Sequence, residues 1–248
     1  MDELVPPALY PSGVPQLNGF ITMGTAFFPG GCGLHLEGRS PDEAEFPIGG
    51  LMVLGHNYDS EIGFAKSLKN VGEAVGKGTW GSLLKMFGEA RIPLDECFFT
   101  NAFMGLCKGS DNKSYRGRND PNFRAACLNF LKAQIEFQRP RLILTLGVKV
   151  PPLLAAASED LKAWNGHEKR RSCDREIRLT ELDSKPIFEK ATFVLDDGST
   201  HVCTVTAIAH PSDRRNGARR LPIGFPRGID GEIELVRAGW ALCGSSRL

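Results

Sequence analysis

No stretch of this chain is apolar for long enough to span a bilayer, and its amino terminus opens with acidic residues where a secretory leader would be basic. The expectation is a cytoplasmic protein with no membrane partner. Charge of one sign is also missing: 30 Lys and Arg balance 29 Asp and Glu, and the net charge of +1 names no class of partner. No internal repeat or low-complexity segment occurs, which excludes repeat arrays. The seven cysteines are odd in number, scattered and without a secretory context, so a disulfide framework does not suit them. Reduced thiols, buried or binding a metal, fit the same compartment.

What is present is an ordinary globular composition, 42% hydrophobic over 248 residues, enough for one domain with a sizeable core. Leu51 to Leu54 reads as a buried parallel strand, followed by a polar stretch and a helix from about Trp80 to Ala90. A second strand passes through Phe98 and Phe99 into Thr100-Asn101-Ala102. Asp120-Pro121 has the form of an N-cap with proline in the first turn, and Phe123, Cys127, Phe130, Leu131 and Ile135 recur behind it at helical spacing. Leu142 to Leu146 is a third strand closed by Gly147, and a helix begins at Val150. Thr192 to Leu195 and His201 to Ala209 flank Asp-Asp-Gly-Ser as a hairpin, and a last helix covers about Ile229 to Leu242. The pattern predicts one α/β domain of three layers, α/β/α, around a mostly parallel central sheet.

Two short polar segments follow apolar strands: Gly55-His56-Asn57-Tyr58-Asp59 after the first and His210-Pro211-Ser212 after the last. In an open α/β sheet both lie at the carboxyl edge, where ligands bind. Each residue also has a plain structural use. A histidine before proline can cap a strand end, Asn57 can serve a turn, and Asn101 can cap the next loop. Basic residues cluster on two loops, Lys113, Arg116, Arg118 and Arg124 on one, Arg214, Arg215, Arg219, Arg220 and Arg227 on the other. Such runs suit DNA phosphate or a solvated loop.

Taken in order, Gly55-His56-Asn57, Thr100-Asn101-Ala102, Arg139-Pro140-Arg141 leading into Leu142 to Gly147, and His210-Pro211-Ser212 resemble the uracil-DNA glycosylase superfamily. The resemblance runs from about Cys32 to Gly217, leaves out an insert at 158–190, and is nearest in layout to the iron-sulfur branch. It implies hydrolysis of the N-glycosidic bond of a flipped-out base. By that resemblance Asn57 holds the water, His210 donates a hydrogen bond to the leaving pyrimidine, and Asn101 reads the base. His56, Tyr58 and Phe64 would complete the base pocket, while Ser212, Arg214, Arg215 and Arg219 would contact DNA, one of the arginines as the wedge. An amide at position 57, where the most active branch has Asp, orients water without taking a proton, which implies modest turnover.

Departures from the family bear on the substrate. Tyr58 stands where relatives have proline, and Asp59 replaces a thymine-excluding tyrosine or a glycine. Asp59 would then supply a carboxylate base or cap the next segment. The stretch that carries a stacking aromatic in relatives offers Asn70, leaving Phe64 or Trp80 to substitute. With Lys169, Arg170 and Arg171 in the insert, these changes imply a base other than plain uracil, such as a hypermodified cytosine of phage DNA, removed by a defence enzyme. Cys32, His35, Cys107 and Cys127 occupy the places of the four cluster cysteines in the iron-sulfur branch. A Cys3His set suits structural zinc or a cluster remnant, or the thiols are simply buried.

The expectation is a monomeric, monofunctional DNA glycosylase that needs no cofactor for catalysis and leaves an abasic site, since no lysine lies in the three site segments to form a Schiff base. A uracil-DNA glycosylase of base-excision repair and a non-catalytic nucleic-acid-binding module are the alternatives.

Overall fold

The computed structural model of the protein describes residues 5–16, 47–69, 76–110, 115–169, 175–211 and 224–244. Its strands are β1 (Leu51–Asn57), β2 (Cys97–Phe103), β3 (Leu142–Leu146), β4 (His167–Glu168), β5 (Arg175–Glu176), β6 (Ile187–Val194) and β7 (Thr200–Ile208). β4 and β5 form a small ladder of their own, and the other five make one sheet in the order β2-β1-β3-β7-β6. β2, β1, β3 and β7 are parallel, and β6 pairs antiparallel with β7. From β1 the chain steps outward to β2 and then crosses to β3 on the other side. That reversal opens a crevice at the carboxyl ends of β1 and β3.

The parallel strands are buried on both faces, which is why they read as unbroken apolar runs. Met52, Leu54, Phe98, Ile143 and Val205 pack on one face with α3 (Pro121–Gln138), whereas Leu51, Val53, Phe99, Leu144 and Ile208 pack on the other with α2 (Gly78–Ala90) and α6 (Ile229–Gly244). The result is the expected three-layer α/β/α arrangement. α3 begins as its sequence predicts: the Asp120 carboxylate accepts from the Phe123 N–H at 2.9 Å, and Pro121 opens the first turn.

Three features depart from the sequence reading. β1 runs on to Asn57 because Gly55 and Asn57 still pair with Asn101 and Phe103 of β2. The polar stretch behind it contains a helix, α1 (Glu61–Lys69), started by Ser60, whose Oγ accepts from the Gly63 N–H at 3.1 Å. Its nine residues, with Gly63 in the first turn, are fewer than the window over which a helical period stands out. The 158–190 insert is not an appended loop either. Leu161, Trp164, Ile177 and Leu182 enter the core beneath α3, and Trp164 meets Phe188 edge-on at 5.0 Å. The remaining helices, α4 (Pro151–Ala155) and α5 (Leu179–Ser184), are short. No described helix is long and apolar enough to cross a membrane.

Candidate functional site

Leu54, Thr145 and Ala207 form one row across β1, β3 and β7. Asn57, the last residue of β1, and His210, two residues past the end of β7, each stand three residues beyond that row, on the two segments that flank β3. The strands they follow, β1 and β7, are two strand spacings apart, roughly 10 Å, a gap of the width of a flat ring with its contacts. Between them the chain turns at Gly147, whose φ is +83 and whose N–H donates to Ile208 O at 2.9 Å. A Cβ there would lie 3.1 Å from the Cβ of His210. Glycine thus lets β3 bend away and leaves room for the histidine. Behind it, the Ala209 N–H donates at 3.1 Å to the carboxylate of Glu232, a residue buried at the start of α6.

The Asn57 carboxamide is held at both ends. Its Nδ2 donates to Asp59 O at 3.3 Å and to Cys107 Sγ at 3.5 Å. Its Oδ1 lies 2.8 Å from His56 Nδ1. Because the amide nitrogen faces a carbonyl, which only accepts, Oδ1 must face the ring and Nδ1 must carry the proton. His56 Nε2 is enclosed and has no hydrogen-bond partner among the described residues. The ring stands edge-on to Phe103, centroids 5.3 Å apart, and to Tyr115, 5.7 Å apart.

Burial is the main cause that pushes the His56 pKa down to about 3, and the charges of Lys149 and Arg118 push it the same way, as does His210; the bond to Asn57 opposes them. The imidazole is therefore neutral, and Lys149 and Arg118, whose charges reach it, are both half-buried. Lys149 was not among the expected site residues. It sits two positions after the predicted turn at Gly147, and the end of β3 lies at the topological switch, which is the signal that locates it. Arg118 belongs to the basic loop that the sequence marks. The three site segments carry no lysine, but a fourth segment brings one to them.

The other expected residues fall into separate places. Asn101 is buried and level with Gly55, and the hydroxyl of Tyr58 is directed at Thr100 and Asn101. Burial raises the Tyr58 pKa well above its ordinary value, so the phenol stays protonated. Thr100 Oγ1 in turn donates to Gln134 Oε1 of α3 at 2.6 Å. Tyr58 thus stands in the core behind Asn101. Asp59 adopts a φ of 30, and its Oδ2 lies 2.0 Å from where a Cβ of Gly63 would fall, so the carboxylate covers the first turn of α1. Phe64 is half-buried against the core under α3. Trp80 is a correction: it lies in the opposite core layer, 4.9 Å from Phe99, and is spent on packing.

Cys107 and Cys127 are both buried, and both lie near Tyr115, whose pKa is raised chiefly by burial and further by these neighbours. Cys107 Sγ accepts from Asn57 and Cys127 Sγ from the Met104 N–H at 3.4 Å. Burial pushes the Cys127 thiol up to about 12. Two of the four expected ligands therefore share one neighbourhood, but Cys32 and His35 lie outside the described residues. Among the described residues no three metal-binding side chains gather. Ser212, Arg214, Arg215 and Arg219 also lie outside them, as do Asn70, Arg170 and Arg171. Lys169 of the insert pairs with Glu176 at 2.7 Å. No protein-family model matches the chain and no curated protein matches it, so the chemistry rests on the geometry of the crevice itself.

Proposed function

We propose that the protein is a DNA glycosylase that hydrolyses the N-glycosidic bond of a flipped-out pyrimidine, a modified cytosine before plain uracil, and leaves an abasic site. The observation that carries this reading is that Asn57, at the end of β1, and His210, two residues past the end of β7, both follow the carboxyl ends of the strands that flank β3, at the switch point of the sheet. A base entering between them meets an amide that can hold water and an imidazole that can donate to a carbonyl.

In the reaction, water oxygen bonds to the sugar C1′ as the bond from C1′ to the base nitrogen breaks, and the bonding pair leaves with the base. Positive charge builds on the sugar and negative charge on the base. Asn57 orients the water, and a water proton is released to solvent once the bond forms. The departing anion is met by His210 and by the field of Lys149 and Arg118, the same field that holds His56 neutral. In a crevice shielded from water such charges act more strongly than at the surface. This electrostatic half of catalysis does not need a strong base.

The test is base release from matched oligonucleotides and genomic DNAs carrying uracil, thymine mismatches, or hydroxymethylated and glucosylated cytosines, with His210→Ala as control. Release of a modified cytosine with little release of uracil is the expected result. Uracil released as well or better would return the protein to ordinary repair, and no release with DNA still bound would leave a binding module. Lys149 adds a second readout. Strand cleavage without added alkali would show that its amine goes on to form a Schiff base with the sugar, making the enzyme bifunctional; intact strands keep it monofunctional.

A further inference from the structure

We propose that His56 is a positioning residue whose Nδ1–H turns the Asn57 carboxamide so that one lone pair of Oδ1 is left to hold the attacking water. The inference rests on the glycosylase reading and assigns His56 a role other than contact with the base.

An attacking water must aim a lone pair at C1′, so it must point a hydrogen at the protein. Only an acceptor can hold it that way round. A carboxamide offers an acceptor at one end and two donors at the other, and the two ends have nearly the same shape. Rotated by half a turn, Asn57 would present N–H groups and hold the water with its lone pair facing the protein. What prevents the rotation is the set of partners. Both N–H groups are taken by Asp59 O and Cys107 Sγ, and one Oδ1 lone pair is taken by His56 at 2.8 Å. One acceptor site remains.

His56 can do this because its own ring is fixed. Phe103 and Tyr115 present themselves edge-on at 5.3 and 5.7 Å, which sets the ring plane by packing. Among the described residues Nε2 has no partner, so none of them competes on the far side for the tautomer. The donor to Asn57 is then the ring's only proton in its neutral form. The histidine directly precedes the water-holding residue at the end of β1, and their side chains meet at 2.8 Å.

Two measurements test the proposal on the full-length protein. Long-range proton–nitrogen spectra of histidine-labelled protein, with His56→Phe to assign the signal, should show Nδ1 protonated and Nε2 bare, and Nδ1 should shift in Asn57→Ala. Single-turnover release of whichever base the parent excises fastest should fall about tenfold in His56→Phe, with DNA affinity unchanged. His56→Gln, which keeps a donor, should recover part of that rate. In the Asn57→Ala background His56→Phe should cost nothing further, because the partner it positions is gone. Nδ1 found unprotonated, or full additivity of the two substitutions, overturns the proposal while leaving the glycosylase reading intact. A parent that releases no base overturns the glycosylase reading, and the water-holding role with it, whatever the spectra show.

Discussion

Gly147 and His210 occupy almost the same space: a Cβ on the glycine would approach the histidine Cβ to 3.1 Å, and the glycine backbone holds a φ of +83. The turn out of β3 and the placement of the anion-stabilising imidazole are therefore one structural decision. Gly147→Ala should cost about 1–2 kcal/mol from the left-handed backbone alone. Moving His210 should cost activity beyond that loss of stability. Urea unfolding and single-turnover base release, measured side by side, separate the two. Release that stays at the parental rate in a folded Gly147→Ala protein would mean that His210 does not need the position seen here.

Glu232 offers a gentler way to disturb the same loop. Its buried carboxylate accepts from the Ala209 N–H at 3.1 Å, one residue before His210. Glu232→Gln keeps an acceptor oxygen and should be mild. Glu232→Ala leaves a buried donor without its acceptor, a cost of about 1–3 kcal/mol in stability. If the bond also aims His210, base release should fall with affinity for DNA unchanged. Equal rates for the two variants after correction for folding would limit Glu232 to a structural role.

Acid should destabilise the protein through His56. Its pKa is about 3 in the folded chain against an ordinary 6.5, with burial as the chief cause. Between those values the unfolded chain binds a proton that the folded chain refuses, so stability rises with pH across the window and is lost on acidification from 6.5 towards 3. His201, lowered chiefly by burial, adds in the same direction. The urea midpoint of the parent should fall between pH 7 and pH 4.5 more steeply than that of His56→Phe. Parallel curves would place the buried proton cost elsewhere.

Much of this arrangement is legible in the chain, and the illegible parts have physical reasons. β3 is read correctly over Leu142 to Leu146 because a strand buried on both faces leaves an unbroken apolar run. α3 is read from its Asp120 cap and its apolar stripe. α1 escapes because its start depends on Ser60, while its nine residues are too few for a helical period to stand out. At the site, Asn57 and His210 are visible as polar residues after apolar strands, and the register of three parallel strands is what sets both at the same edge of the sheet. Lys149 and the His56 to Asn57 bond are not visible, since each depends on how the chain turns after a strand ends. Tyr58 and Trp80 look available in a list of aromatics and are buried in the fold.

Replacing the amide by a carboxylate asks what limits the rate. In Asn57→Asp the new group can accept a proton from water, and general-base assistance is worth about 10²–10⁴ in rate when it is well aimed. The Nδ1–H of His56 would still donate to it, and the charges of Lys149 and Arg118 favour its ionised form. Against this, two donors are lost: Asp59 O and Cys107 Sγ, which now accept from Nδ2 at 3.3 and 3.5 Å, would face a carboxylate oxygen. If basicity is the missing element, release should quicken, and the ratio of variant to parent rate should rise with pH until the carboxylate is fully ionised. If the held orientation of Asn57 matters more, the variant should be slower than the parent at every pH, because a carboxylate repelled by Asp59 O no longer points its acceptor at the water. A pH series of single-turnover rates for the two proteins distinguishes these outcomes, and a slower variant would make the network of His56, Asp59 and Cys107 the determinant of turnover.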